Sequence, residues 1–515
     1  MLDLLIKNAE VFDGTGAPSF KADVAVKDGK IVEVAEKIEC EARETIDAAG
    51  LCVSPGFVDS HSHADSNVLE YRDLPNQIAQ GITTVMSGQC GGSAAPLREH
   101  DVKDGDCRRT VAEWFASLEK EGIGINVSLF TGHGNIRDYV MGRLANRRPT
   151  ADEMKEMKEL LAKTMDEGSR GMNGGMYYTP CAYADTNEII ELCKTVKEKG
   201  GMFAAHIRSE SARLIEAVAE MIEICEKSGV TTVISHHKAV GGPNYWGKSR
   251  ETLRMIEEAR GRGLPIWCDV YPYNACSTSL WATFISTDRQ ALGKAKITEM
   301  LKTPEYRAEA REWIEETFIR HSWHEKGLSW AKMFGLKNTP QYDGMDVREA
   351  SKVHGKDEFE TLFDILEANE CNGNGVLFTM SEEDVERIIS RPYAMIGTDS
   401  GAGKGTHPRY YGTFPRVLGH YVRERKLDTW EHMIHRMTGL PATVYELDGK
   451  GFIKEGYDAD ICIFNKETIN AGSTFSDPSG ENIGLEFVIV NGTVAARHGV
   501  GTGSRSGKVL RKTNV

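Results

Sequence analysis

Hydrophobic and polar positions alternate through the first fifty or so residues, in LLIKNAEVFDG, ADVAVKDGKIVEVA and ETIDAAGLCVSPG. A two-residue period broken by Asp-Gly pairs predicts short strands joined by hairpin turns. At Phe57 the texture changes. Short apolar or β-branched runs such as GITTVMSG, GINVSLFTG, GMFAAHIRSE, VTTVISHHK and LPIWCDVYPY now alternate with longer amphipathic stretches. The latter, among them ADEMKEMKELLAKTMDEG, SARLIEAVAEMIEICEKSG and SRETLRMIEEARGRG, carry the helical period. This order predicts an α/β fold with a parallel sheet and crossover helices. It supplies enough units for a (β/α)8 barrel of the TIM type over residues 56–445.

From about Ser286 to Val353 the chain is charged, Trp-containing and irregular, which predicts an insertion (286–353) near the barrel mouth. Barrel texture returns with GNGVLFTMSEEDVERIIS and RPYAMIGTDSG, followed by the helical TWEHMIHRMTGLPATVYEL. The last sixty-odd residues revert to strands and turns, in GFIKEGYDADICIFN and LEFVIVNGTVAARHG. The two ends share a texture, so residues 1–55 and 446–515 are expected to pair into one small β-sandwich. The basic tail SRSGKVLRKTNV is expected to be loosely held.

Composition narrows the function. A net charge of −14 over 515 residues disfavours a nucleic-acid or anionic-membrane surface. No apolar stretch reaches the roughly eighteen residues that a membrane span needs, and MLDLLIKNAEVFDG reads as a strand rather than a signal peptide. The eleven cysteines are odd in number and singly spread, which suits a reduced, cytoplasmic setting. The expected partner is a small molecule, and the sequence sets no oligomeric state.

The chemistry concentrates at predicted strand ends. Residues i and i+2 of a strand share a face, so His61 and His63 in GFVDSHSHAD project together. The C-terminal end of a barrel strand is where such barrels build their active sites. His206 follows GMFAA, His236 follows TTVIS, Cys90 follows TTVMSGQ and Asp399 follows YAMIGT. Each residue alone has an ordinary reading as a cap or a packed core group. Imidazole, thiolate and carboxylate converging from five strand ends instead suit a zinc site.

The segments PGFVDSHSHAD, QCGGSAAPL, SHHK and GTDSG resemble the amidohydrolase superfamily, and within it the N-acyl-D-amino-acid deacylases. HPRYYGTFPRVLGHYVRE and MTGLPATVYELDGKGFIKEGYDADICIFN extend the resemblance over nearly the whole chain. The resemblance implies a metal-dependent barrel with a β-sandwich, and hydrolysis of an N-acyl-D-amino acid. It implies His61, His63, Cys90, His206, His236 and Asp399 as the metal set. One zinc is held tightly by Cys90, His206 and His236, with a weaker or empty second position near His61 and His63. His236 rather than His237 is the ligand, because relatives keep the histidine directly after the serine. Asp399 is then the catalytic proton shuttle, with Lys238, Tyr178, Tyr271 and Ser277 as substrate-binding residues and Tyr273 a neighbour.

The sequence also departs from that pattern. Relatives place a carboxylate-clamping arginine shortly after the serine of the YPY…ST segment, whereas STSLWATFIST has none before Arg289. Three routes remain: Lys238 alone holds the carboxylate, another arginine reaches in, or the substrate lacks that group. Cys181 and Cys276 stand where glycine is common, and Trp281 is positioned to narrow the pocket. Competing readings are a cyclic-amide hydrolase of the hydantoinase or dihydroorotase kind, a carboxylate-free amide hydrolase, and a non-catalytic scaffold. The first usually carries a carboxylated lysine on its fourth strand, absent from SRGMNGGMYY. His133 is read either as support for the site or as simple packing.

Overall fold

The computed structural model describes residues 1–103, 105–320 and 327–512. It opens with β1 (Leu2–Val11), β2 (Phe20–Lys27), β3 (Lys30–Ala35), β4 (Ala42–Asp47) and β5 (Cys52–Pro55). The run LCVSPGFVD divides at Gly56. β5 stays in the first sheet, whereas β6 (Phe57–Asp59) enters the barrel. Gly56 allows that close passage, because a Cβ there would fall 2.2 Å from Thr83 Oγ1.

The barrel continues with β7 (Ile82–Ser87), β8 (Asn126–Leu129), its short continuation β9 (Thr131–Gly132), and β10 (Gly171–Gly175). β11 (Met202–His206), β12 (Thr231–Ile234) and β13 (Ile266–Val270) follow. An insertion carrying β14 (Cys276–Ser279), β15 (Ala331–Phe334) and β16 (Asn374–Leu377) intervenes before the last barrel strand, β17 (Ala394–Ile396). Neighbours run parallel in the orders β6–β7–β8 and β9–β10–β11–β12–β13–β17. Ser60 N donates to Ile396 O (3.1 Å) and Asp399 N to His61 O (2.8 Å), which closes β17 onto β6. With β8 and β9 counted as one, eight strands among the described residues make a closed TIM-type barrel.

Its interior is filled by Val58, Met86, Phe130, Met202, Val233 and Met395. Tyr445 seals one end, its hydroxyl donating to Ser60 O (3.0 Å). The crossover helices have ordinary sequence causes. Thr150 and Glu153 form a capping box at the start of Ala151–Asp166, and Gly229 caps Leu214–Ser228 in the left-handed conformation.

The insertion is wider than 286–353. β14, β16 and β15 form their own antiparallel sheet over a separate core that includes Leu280, Phe284, Leu328, Leu362 and Phe363. GNGVLFTM, read as a return to the barrel, supplies the central strand of that sheet instead. Its apolar run is buried in the insertion, a placement that periodicity cannot distinguish from a barrel strand. Residues 321–326 of the expected insertion lie outside the described residues.

The chain ends in β18 (Ile461–Phe464), β19 (Leu485–Val490), β20 (Thr493–Arg497) and β21 (Val500–Gly501). β18 pairs antiparallel with β5, so both ends share one nine-stranded sheet. The tail is not loose as far as Lys512. Val127 N donates to Lys508 O (2.9 Å), Leu510 N to Val127 O (2.8 Å) and Ser128 Oγ to Leu510 O (3.0 Å), so the tail lies against β8. Its polarity hides this, because the backbone does the pairing; residues 513–515 lie outside the described residues.

Sheet and barrel are joined by a buried ion cluster. Lys450 Nζ lies 2.9 Å from Asp458 Oδ2 and 2.6 Å from Asp460 Oδ2, and the latter also accepts from Asn126 Nδ2 on β8 (2.8 Å). Burial favours protonation of Asp458, but Lys450 and Lys30 outweigh it and lower the carboxyl to about 2. An unfolded aspartate titrates near about 3.9, so this pair stabilises the fold above that pH and the contribution is lost as pH falls through about 2. Asp458→Asn should therefore lower stability at neutral pH and flatten its pH dependence between about pH 4 and pH 2. Urea unfolding across that range checks it, and an unchanged profile would remove the cluster from the stability of the fold.

Candidate metal centre

The two-residue period of β11 carries Met202 and Ala204 into the barrel interior, and His206 continues that face at the strand's end. β17 does the same through Met395, Gly397 and Asp399. A Cβ on Gly397 would fall 2.7 Å from His61 Cβ, so glycine there lets His61 approach. Cys90, His236 and Asp399 follow their strands with φ of +54°, +35° and +51°. Such left-handed backbone costs a non-glycine residue about 1–3 kcal/mol and persists where its surroundings impose it.

Cys90 Sγ lies 3.2 Å from His236 Nε2 and 3.8 Å from His206 Nδ1, and the two nitrogens are 2.9 Å apart. Tetrahedral ligands around one zinc-sized ion would stand about 3.3–3.6 Å apart, so these separations bracket a common centre. On the other side of the thiol, His61 Nε2 is 3.5 Å from Sγ and 3.6 Å from Asp399 Oδ1, and His63 Nε2 is 3.0 Å from that same oxygen. The six expected residues thus form two adjoining donor groups that share Cys90.

The protonation preferences fit a cation. Burial strongly lowers the affinity of His206 and His236 for a proton, leaving neutral imidazoles with lone pairs to donate. Burial, and Asp399 nearby, push the Cys90 thiol well up. A thiolate in this place therefore requires adjacent positive charge, which a coordinated metal supplies.

A model of the amidohydrolase family matches residues 44–268 and 314–496. The chain belongs to the amidohydrolase family. A D-aminoacylase of Alcaligenes xylosoxydans xylosoxydans is 34% identical over 521 aligned residues, spanning 99% of this chain and 98% of its own. An N-acyl-D-glutamate deacylase of the same organism is 31% identical, with 99% and 97% covered. The crystal structure of N-acyl-D-glutamate deacylase from Bordetella bronchiseptica, with zinc and a phosphonate mimic of the tetrahedral intermediate, superposes with a TM-score of 0.85. It is 32% identical, covering 99% of this chain and 100% of its own.

Around this amidohydrolase centre lies a cavity of about 500 Å³ lined by His63, Cys90, His206, His236 and Asp399. Tyr178, Ser277 and Lys238 also line it. Tyr178 stands edge-on to His206 (4.8 Å between rings), with its hydroxyl 3.0 Å from Thr278 Oγ1. Lys238 is engaged inside the protein: Nζ donates to Glu210 Oε1 (2.6 Å) and His236 O (2.8 Å). Tyr271 is buried behind the wall rather than in it, its hydroxyl pointing to Met380 Sδ (3.6 Å). Tyr273 donates to Pro408 O (3.3 Å), away from the cavity. Trp281 also stays out of the lining, whereas Cys276 is part of it.

His133 pairs with Glu188 (2.8 Å), which also takes Arg137, in a buried group outside the cavity. His237 likewise turns away, to Thr252 Oγ1 (2.8 Å), and burial lowers it to about 4. Cys181 packs near Gly91 O. On the fourth strand, a Cβ at Gly175 would fall 2.0 Å from Cys90 O, so the backbone of the Cys90 loop fills the space that a lysine side chain would need.

Two residues that motif reading passed over stand beside the donors. Glu210 lies behind both later histidines, Oε1 3.1 Å from His236 Nδ1 and Oε2 3.7 Å from His206 Nε2. Oε1 is within hydrogen-bond reach of His236 Nδ1, which Lys238 Nζ also approaches (2.7 Å), whereas the contact with His206 is electrostatic only. A carboxylate so placed favours a proton on His236 Nδ1 and leaves the Nε2 lone pair free to donate. Its only sequence signal is its place four residues after His206 in HIRSE. Arg409, only 4% exposed, sets Nη1 2.8 Å from Asp399 Oδ2 and donates from Nη2 to Ser277 O (3.3 Å). It was present in HPRYYGTFP, far along the chain from the STSLW segment where an arginine was sought.

Glu210→Gln keeps the shape but weakens the acceptor. Metal affinity should fall about 10–100-fold, read by competition of the folded protein against a chelator with zinc as the test ion. Unchanged affinity would leave Glu210 as a partner of Lys238 only.

Proposed function

We propose that this protein is a zinc-dependent amide hydrolase that deacylates N-acyl-D-amino acids to a D-amino acid and a carboxylate. The observation that carries the reading is the joint donor set, a thiol and two neutral imidazoles beside a buried aspartate–arginine pair, in a chain similar over its full length to D-amino-acid deacylases. Cys90, His206 and His236 would hold one zinc tightly. His61 and His63, with Asp399, would offer a second and weaker position. A zinc bound there lowers the pKa of its water towards about 7 and polarises the amide carbonyl.

The remaining steps belong to the protein's own groups. Burial alone would protonate Asp399, but the Arg409 guanidinium beside it, with His236 and His63, holds the carboxyl well below the usual carboxylate range. Asp399 is therefore ionised and ready to take the proton of the attacking water. It then returns that proton to the amide nitrogen as the C–N bond breaks. Arg409 is the route to the substrate's α-carboxylate that replaces the missing STSLW arginine. Its guanidinium lines the cavity, and its buried Nε finds no hydrogen-bond partner among the described residues. Gly175 and the Cys90 loop disfavour the cyclic-amide reading, whose usual lysine bridge has no room.

With zinc supplied, N-acetyl-D-amino acids should be hydrolysed, and their L enantiomers and carboxamide analogues should react far more slowly. Activity confined to carboxylate-free amides would defeat the deacylase reading while leaving amide hydrolysis standing. Asp399→Asn should retain metal and lose about 10²–10⁴-fold in kcat. Near-normal turnover in that variant would remove Asp399 from the proton transfer.

A further inference from the structure

Arg409 stands at the first position of the helix Arg409–Arg416, where a backbone N–H has no partner within the helix. A serine, threonine, aspartate or asparagine just before the helix usually accepts from such groups. Here that place is held by Pro408, which makes no side-chain cap. The acceptor comes from one residue further back, His407, whose Nδ1 takes the Arg409 N–H (3.0 Å). The other ring nitrogen, Nε2, donates to Ala275 O (3.0 Å), immediately before β14. One partner is a main-chain donor and the other a main-chain acceptor, so the ring is neutral and fixed in one tautomer.

The ring itself is gripped from two sides. His407 is fully buried, edge-on to Tyr273 (5.3 Å between ring centres) and to Phe475 (5.1 Å). Pro408 O accepts from the Tyr273 hydroxyl (3.3 Å) and from Ser473 Oγ (3.2 Å). Tyr273 comes from the loop after β13, and Ser473 and Phe475 from the segment between β18 and β19. Neither His407 nor these neighbours line the cavity. Their polar groups and rings instead converge on the turn from which Arg409 enters it.

The guanidinium is a long way from its own backbone, and its place beside Asp399 Oδ2 (2.8 Å) and Ser277 O (3.3 Å) depends on where that helix starts. An error of about 1 Å in such a group can cost on the order of 10²-fold. Building on the deacylase reading, in which Arg409 receives the substrate's α-carboxylate, we propose that His407 is the positioning residue of that arginine. The Nδ1 lone pair sets the first turn of the helix and with it the point at which the guanidinium enters the cavity. Nε2 ties the same turn to the strand whose Ser277 O takes Arg409 Nη2. His407 touches no substrate and acts through Arg409.

Two substitutions separate the two nitrogens on the zinc-loaded protein. His407→Asn keeps an acceptor near the place of Nδ1 and loses the tie to Ala275, whereas His407→Gln puts its amide near the place of Nε2 and loses the cap. The readout is kcat/KM for the N-acetyl-D-amino acid that the wild type turns over best, divided by that for its carboxamide. A merely structural role would lower both substrates alike and leave the ratio unmoved. His407→Gln should shrink the carboxylate preference about tenfold or more, chiefly through KM of the acid, and His407→Asn should restore most of it. An unmoved ratio in His407→Gln, or an equal loss in both variants, would overturn the proposal. If only one variant folds and holds zinc, that one decides by the same expectation. If neither folds, His407 is a folding residue and the proposal falls. A wild type without carboxylate preference would defeat the deacylase reading by itself. Crystal structures of the wild type and His407→Gln then decide His407: the guanidinium should have left Asp399 in the variant, and one still in place would overturn the assignment.

Discussion

The centre depends on three donor residues being forced into left-handed backbone, and a separate buried carboxylate holds each one there. Asp65 accepts from Gly88 N (3.0 Å) and Ala94 N (2.8 Å), clamping both sides of the loop that presents Cys90. Asp269 accepts from His236 N (2.7 Å). Asp59 takes Thr398 N (2.8 Å) and Thr398 Oγ1 (2.6 Å), fixing the turn into Asp399. Each carboxyl group is buried and accepts from at least one backbone N–H that a strained turn would otherwise leave unpaired. The burial is severe enough to raise Asp59 to about 7. A conformation costing about 1–3 kcal/mol per residue is thereby set by hydrogen bonds to buried acceptors, and the donors are preorganised.

That division explains what could be read from the sequence. His206 and Asp399 were legible because a strand's two-residue period and the chemistry of the C-terminal barrel ends are local signals. His61, His63, Cys90 and His236 follow apolar runs closely enough to be found the same way. Asp59, Asp65, Asp269 and Glu210 carry no such signal. Their partners are backbone groups, a threonine hydroxyl, a lysine ammonium or ring nitrogens, in one case 339 residues away in the chain, and an isolated acidic residue looks like any solvated one. Arg409 escapes sequence spacing for a related reason: it lies far along the chain from Ser277, and the fold brings its guanidinium in from the start of the helix Arg409–Arg416.

The fold itself was readable where periodicity and burial agree. The strand–helix alternation gives the barrel, and the matching textures of the two ends give the shared sheet. It was unreadable where one apolar run serves two structures. LCVSPGFVD divides at a glycine between two sheets, and GNGVLFTM is buried in the insertion rather than in the barrel. Both have the composition of a buried strand, and composition does not say which sheet buries it. The basic tail erred the other way, since polar residues concealed a segment whose backbone pairs with β8.

Barrel and insertion present different chemistry to the cavity, since among the described residues every charged lining group comes from the barrel and its loops. The strand ends carry the candidate donor residues, several of them backed by a buried carboxyl group or a counter-ion. The insertion folds around a separate core, so its cavity face can change without disturbing those supports. Polar contacts join the two at the site: Arg409 Nη2 donates to Ser277 O (3.3 Å), and the Tyr178 hydroxyl lies 3.0 Å from Thr278 Oγ1. Because the Ser277 acceptor is main chain, side-chain changes along β14 leave the Arg409 contact in place.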